Sequence, residues 1–385
     1  MPLPQTRDLA VVLSGGGING VLLELGFLRR LQQSPVWSRV GWIYGTSAGA
    51  LSGTMAALDR LDDLEAFVLG LQPEDAFRPR PVWRFLGGLH DYTLPDTIAE
   101  RIGGADELAA ALAAAEIELV VFVTDVSEHF DGDEARHFEL AYSSHSTAPE
   151  TMGRALLASA AISGLVLPIR VGAVIATDGG WVRNFPLGHA YANPDVRAIT
   201  AFRYIASYPP PDAAFLARMR ERLDRFRAVP PVRALLAEIR LAEERATRGE
   251  PAHYAEMIVR LMRVAIARNT VQEERMAEER ATSVAELQRL REEVVSSALA
   301  AAPPWRRRGL LSELDGIFGA ARFPFRHDRK VPTLIVRAAP GDDGLDPTFR
   351  GDEPWPDERK RALIERGYRL TDDALAANPD FATRA

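Results

Sequence analysis

The residue with the most reactive context is a serine. Ser47 lies in Gly45-Thr46-Ser47-Ala48-Gly49, between a short apolar run (Val40 to Tyr44) and a helix expected to begin near Ala48. A glycine on each side relieves the crowding of a sharp strand-to-helix turn, so the hydroxyl stands clear of the backbone with a helix N-terminus behind it. Such a residue is suited to nucleophilic attack on an acyl carbon. The same pentapeptide also closes strands in ordinary tight turns, so its meaning depends on its surroundings.

An alcohol nucleophile needs a base. The seven histidines (His90, His129, His137, His145, His189, His253 and His327) fall in segments that mark none of them as that partner. Asp178 stands out instead. Residues 172 to 177 read as a strand, and Asp178-Gly179-Gly180 caps its C-terminal end, where catalytic groups of open α/β sheets collect. A carboxylate there can accept the serine proton directly and return it to the leaving group. Asp-Gly is also a common turn.

A third feature lies upstream. Residues 8 to 14 read as a buried strand running into Gly15-Gly16-Gly17-Ile18-Asn19-Gly20 and then the helical stretch Val21 to Gln32. Glycines there let backbone N–H groups point at a guest, and the helix dipole adds positive potential. Gly15-x-Gly17-x-x-Gly20 matches a dinucleotide fingerprint, but the acidic residue expected about 20 positions on is missing. The Lys-Ser/Thr of a phosphate-binding P-loop is missing too. The alternative is an oxyanion hole: the glycine amides, with the Ala48 N–H, would face a carbonyl oxygen as it becomes charged. Close helix-on-sheet packing would also explain the glycines.

These groups must be positioned by alternating strands and helices. Expected helices are about 48 to 58, Leu61 to Leu71 and Ala105 to Ala115; expected strands are Ile117 to Thr124, Arg136 to Tyr142 and Val196 to Ile205. The fold class is α/β, a mostly parallel sheet flanked by helices on both faces. From about Pro211 the chain turns rich in Ala, Arg, Glu and Leu at helical spacing, broken at Pro230-Pro231 and near Gly249-Glu250-Pro251. Three or four helices are expected there, as an insertion before the last strand. The charged runs Glu273-Glu274-Arg275 and Glu278-Glu279-Arg280 read as solvated surface, with an oligomer-forming coiled pair as the alternative.

The order of the motifs resembles the patatin-like phospholipase family. A glycine-rich loop follows the first strand, Gly-x-Ser-x-Gly comes about thirty residues later, and Asp-Gly-Gly follows a later strand. Leu156 to Ser163, Leu167-Pro168 and Asp178-Gly179-Gly180-Trp181-Val182-Arg183-Asn184-Phe185-Pro186 look like the family's small-residue helix, proline step and Asp-Gly-Gly with Asn-x-Pro. The resemblance covers about residues 8 to 205, and more loosely Val331 to Val336 with Glu358 to Leu375. It implies a patatin-like core over 1–210, a helical insertion over 211–325 packed on the core, and a closing strand and helix over 326–385. It further implies a Ser/Asp dyad without histidine, Ser47 as nucleophile and Asp178 as base. Gly15, Gly16 and Gly17 would donate to the oxyanion; Gly45, Gly49, Gly20, Gly179 and Gly180 would support the motifs. No metal or organic cofactor is implied. The substrate would be an acyl ester of a lipid: a phospholipid, a lysophospholipid or a neutral ester. One position departs from the pattern: Asn19 stands where the family usually has Arg or Lys. A catalytically silent protein that holds fatty acyl groups is the alternative, with Asn19 as its support.

Composition sets the remaining expectations. With no cysteine there is no disulfide framework, and nothing points to an oxidising compartment. The segment before the first strand lacks a signal-like apolar stretch and no run of 18 apolar residues occurs, so a cytoplasmic enzyme is expected, with contact to a membrane surface at most peripheral. A net charge of −7 argues against nucleic acid as the main partner. Two segments resemble lipid-contacting ones: Trp83, Phe85, Leu86, Leu89 and Tyr92, where a lid would be placed, and Trp305-Arg306-Arg307-Arg308 with Leu310, Leu311, Ile317 and Phe318. Ordinary packing beside a solvated basic corner is the preferred reading of both.

Overall fold

The computed structural model describes residues 7–79, 90–127, 138–162, 166–205, 213–250, 254–320, 330–338, 355–379 and 381. The first elements are β1 (Leu9–Leu13), α1 (Gly17–Gln32), β2 (Val40–Thr46), α2 (Ala48–Ala57), α3 (Leu61–Gly70) and α4 (Pro73–Ala76). Next come β3 (Phe77–Pro79), β4 (His90–Tyr92), α5 (Leu94–Arg101), α6 (Ala105–Ala113), β5 (Glu118–Asp125), β6 (Glu139–Ser143) and α7 (Pro149–Ser159). Then follow β7 (Ile169–Val171), β8 (Val174–Asp178), α8 (Gly180–Arg183), α9 (Leu187–Ala192) and β9 (Ala198–Tyr204). The remainder is α10 (Ala213–Asp224), α11 (Pro230–Thr247), α12 (Tyr254–Ala301), α13 (Arg307–Ala320), β10 (Thr333–Ala338) and α14 (Asp357–Ala377).

The main sheet has eight strands in the order β10-β9-β1-β2-β5-β8-β7, with β6 also paired to β5. Strands β10, β9, β1, β2 and β5 are mutually parallel, as βαβ crossovers require. All five residues of β1 are buried, which is why it reads as an unbroken apolar run. Leu9, Val11 and Leu13 point to one face, where α1, α2, α3 and α14 pack; Ala10 and Val12 point to the other, beneath Phe185, Leu187 and Ala277 of α12. This is the expected α/β sheet with helices on both faces.

Two glycines set how closely α1 meets α14. A Cβ on Gly26 would collide with the Ile364 carbonyl oxygen, and one on Gly367 with that of Leu23. Backbones touch at this crossing, and no larger residue fits at either position without moving a helix.

The helical stretch breaks at Pro230 and near Gly249, as expected. It holds four helices among the described residues, but one of them, α12, runs unbroken for 48 residues. Helix α13 packs on α12 and buries none of its own side chains. Trp305 is 85% exposed and Ile317 66% exposed, so ordinary packing does not account for these two. Of the lid segment, Trp83, Phe85, Leu86 and Leu89 lie outside the described residues; Tyr92 ends β4 and its hydroxyl donates to the Leu157 carbonyl oxygen at 3.1 Å.

Candidate active site

Ser47 stands between β2 and α2 with φ 54° and ψ −115°, a left-handed conformation that an L-residue adopts at a cost. The flanking glycines make this turn sterically feasible. A Cβ on Gly45 would strike the Gly49 carbonyl oxygen, and one on Gly49 would sit 2.7 Å from the Leu13 carbonyl oxygen. The Ser47 amide is tied down as well: it donates to Ser159 Oγ at 2.8 Å, and that hydroxyl donates to the Phe122 carbonyl oxygen at 2.7 Å. The turn is therefore held from β5 and α7 together, and the side chain projects from a fixed backbone.

The Asp178 carboxyl lies beside that side chain: both line one cleft, and the Ser47 hydroxyl is near enough to lower the carboxyl's pKa. Asp178 stands at the C-terminal end of its strand, as expected. Strand β8 is antiparallel to β5. The registers explain the encounter. Strand β2 pairs with β5 as far as Thr46 opposite Phe122, β6 occupies the other edge of β5, and Asp178 of β8 lies opposite Val123. Strand β8 thus continues the edge that β2 leaves, and the two carboxyl ends abut. Gly179 makes the junction possible, because a Cβ there would collide with the Phe122 carbonyl oxygen.

Asp178 is buried at 8% exposure, with its Oδ1 accepting from the Gly180 amide at 2.6 Å. Burial raises its pKa from 3.8 to about 6; the neighbouring Ser47 hydroxyl and the hydrogen bond from the Gly180 amide hold it from going higher. A carboxyl of this strength is a better proton acceptor than a solvated aspartate.

The glycine loop requires one correction. The Gly15 amide donates to the Asn184 carbonyl oxygen at 3.0 Å, so it is engaged and does not point at a guest. Gly16 precedes α1 and Gly17, at φ 58°, begins it. The amides of Gly16, Gly17 and Ala48, the last being the first residue of α2, take no acceptor among the described residues, as expected of helix first turns. Gly20 has a packing role: a Cβ there would lie 3.1 Å from that of Ala48. Asn19 is buried, with Nδ2 directed at Tyr204 Oη at 3.4 Å, so it braces the loop against β9.

These groups line one cleft of about 550 Å³, open solvent included: Gly15, Gly16, Gly17, Ser47 and Asp178 with Ile162, Trp181, Asn184 and Ile205, closed by Met262, Arg263 and Ile266 of α12. Helix α12 also holds the Asp178 loop. Asn269 Nδ2 donates to the carbonyl oxygens of Gly180 (2.7 Å) and Trp181 (3.1 Å), and its Oδ1 accepts from the Asn184 amide at 3.1 Å. Thr270 Oγ1 accepts from Asn184 Nδ2 at 2.9 Å. Nothing in the sequence around Asn269 and Thr270 marks them; they sit in an ordinary helical run.

The charged run that begins just after them was expected in solvent. Glu273 and Glu274 are instead buried at 4% and 8% exposure. Glu273 pairs with Arg183 and accepts from the Gly188 amide at 2.9 Å; Glu274 pairs with Arg337 and with Arg203 at 2.8 Å. Their burial is compensated by those partners. Arg275 and Glu279 do form an exposed i,i+4 pair.

Residues 11–191 match the family described as Patatin-like phospholipase. This segment is a patatin-like domain. Two similar curated proteins, from Mycobacterium tuberculosis (strain ATCC 25618 / H37Rv) and Mycobacterium bovis (strain ATCC BAA-935 / AF2122/97), are each titled an uncharacterized NTE family protein and are 29% identical over 203 residues. The aligned stretch makes up 50% of this chain and 30% of each relative, so the chain spans 30% of their length. Among solved structures, VipD from Legionella pneumophila aligns with 96% of this chain and 67% of its own at 12% identity, with a TM-score of 0.41.

The patatin-like domain contains Ser47, Asp178 and the glycine loop. Helix α12 lies beyond its matched limits, yet three residues of the cleft and the Asn269 clamp belong to it. None of the residues lining the cleft is a histidine. His189 is placed elsewhere, against Glu139 with its ring 4.6 Å from that of Phe122.

Proposed function

We propose that this chain is a serine acyl hydrolase acting on acyl esters of lipids through a Ser47/Asp178 dyad. The observation that carries the reading is that the Ser47 hydroxyl and the buried Asp178 carboxyl line one open cleft together with the glycine loop. Membership of a family whose members are generally lipid acyl hydrolases supports it.

The reaction follows from the geometry. Ser47 Oγ attacks the ester carbonyl carbon as Asp178 takes its proton, and the carbonyl oxygen becomes an oxyanion. The amides of Gly16, Gly17 and Ala48 face that charge. Fixed donors of this kind need no reorganisation at the moment of reaction, and each is worth roughly 10²- to 10³-fold in rate. Collapse releases the alcohol, which takes the proton from Asp178 and leaves an acyl ester on Ser47. Water then attacks that ester with Asp178 as base, and Asp178 returns the proton to Ser47 Oγ as the carboxylic acid departs. The apolar walls from Ile162, Trp181, Met262 and Ile266 suit a hydrocarbon chain. Among the described residues no helix is long and apolar enough to cross a membrane.

The test is hydrolysis of p-nitrophenyl esters of short and medium acyl chains by wild type, Ser47→Ala and Asp178→Asn, with fluorophosphonate labelling alongside. Turnover and a Ser47 adduct in wild type only are expected. Equal rates in all three proteins would overturn the reading. A Ser47 that no fluorophosphonate labels, with no turnover by wild type, would leave the chain as a binding protein.

A further inference from the structure

We propose that Arg263 of α12 forms an anion-binding subsite in the cleft, selecting acyl esters that carry a phosphate or carboxylate group close to the scissile bond. This deepens the hydrolase reading and rests on it.

Four observations carry the inference. First, of the twelve described residues lining the cleft only Asp178 and Arg263 are ionisable, and Arg263 is the cation among them. Second, its placement is fixed. Met262 beside it is buried, the Thr270 hydroxyl caps the Ile266 carbonyl oxygen at 2.8 Å, and Asn269 bonds to the Asp178 loop, so this turn of α12 cannot slide along the cleft.

Third, Arg263 has a partner within the protein, and a guanidinium with five N–H donors can serve that partner and a substrate anion together. Fourth, the glycine loop supplies no charge of its own, because Asn19 is neutral and turned to Tyr204. Among the described lining residues the positive charge therefore comes from α12. A guanidinium presents paired N–H donors that match phosphate and carboxylate oxygens, which an ammonium matches less well.

The full chain is assayed on three esters of one acyl chain: a monoacylglycerol (neutral), a monoacylglycerol phosphate, and an acyl glycolate (carboxylate). The readout is the ratio of kcat/KM for each anionic ester to that for the neutral one. In wild type both ratios are expected above one and falling with added salt. Arg263→Gln is expected to lower them by roughly 10- to 100-fold, the range of a charge-assisted hydrogen bond, and Arg263→Lys by less. A fall with phosphate alone assigns the subsite to a phosphate-bearing head group, and a fall with glycolate alone to a carboxylate.

Ratios in Arg263→Gln within twofold of wild type would overturn the inference while leaving the hydrolase reading intact. Wild-type ratios at or below one that do not respond to salt would overturn it without recourse to a variant. Absence of turnover of all three esters, with no fluorophosphonate adduct on Ser47, would remove the hydrolase reading and this inference with it.

Discussion

Asn269 donates to the Gly180 carbonyl oxygen at 2.7 Å across 89 residues of sequence, and Gly180 in turn donates its amide to Asp178 at 2.6 Å. The position of the carboxyl thus depends on a helix that the matched family segment does not include. Asn269→Leu is expected to lower kcat about tenfold or more, since misplacement by about 1 Å can cost 10²-fold. It should also move the acid limb of the kcat profile to higher pH, because the Gly180 amide is one of the two groups holding the Asp178 pKa down. Thermal melts and pH profiles separate the outcomes: a merely less stable protein loses amplitude without shifting the limb.

Asp178 must be ionised to take the serine proton, so kcat/KM should rise with pH and level off above about 6. Stability runs the other way. A carboxyl whose pKa is raised on folding contributes stability that is fully present below 3.8 and lost as pH rises through about 6. Asp178→Asn should therefore abolish activity and, at pH 8, raise the melting temperature through a gain of at most about 3 kcal/mol, the worth of moving a pKa from 3.8 to about 6. An inactive variant that melts lower than wild type at pH 8 would contradict this.

The backbone strain at Ser47 separates two inactive variants. At φ 54° a glycine is unstrained and an alanine is not. Ser47→Gly should exceed Ser47→Ala in stability by about 1 kcal/mol, measured by urea denaturation. Equal midpoints would mean that the turn relaxes once the hydroxyl is gone.

Glu24 lies fully buried in α1, its pKa pushed well above 4.5 by burial, and neither of its carboxyl oxygens takes a hydrogen bond among the described residues. Its contribution to stability is present below 4.5 and is lost as pH rises. Glu24→Gln should flatten the pH dependence of the denaturation midpoint between pH 5 and pH 8 and give the more stable protein at the upper end.

The crossing of α1 and α14 admits only glycine. Gly367→Ala should cost about 1–3 kcal/mol, the range of overpacking, and Gly26→Ala as much, since each methyl would enter a carbonyl of the partner helix. Differential scanning calorimetry of both variants and of the double variant checks this. Because both changes push the same pair of helices apart, the double variant should lose less than the sum of the single losses.

The site was legible where chemistry forces residue type. Gly45, Gly49 and Gly179 sit where a Cβ would enter a neighbouring backbone, so the motif glycines carry steric information that a reader of sequence can use. The apolar run of β1 likewise disclosed a strand buried on both faces. The direction of β8 was not legible, since a strand reads the same in either orientation and only pairing with β5 decides it. The engagement of the Gly15 amide depends on Asn184, some 170 residues distant, which no local pattern reports. Glu273 and Glu274 misled for a related reason: at helical spacing a carboxylate that meets Arg183 or Arg203 looks like one that meets water.

Helix α12 rises about 1.5 Å per residue, so its 48 residues span roughly 70 Å. Among its described side chains the buried ones are Met262, Thr270, Glu273, Glu274, Ala277 and Val284; beyond Val284 it carries α13. The turn that holds the acid loop and the stretch that carries α13 therefore belong to one continuous bar.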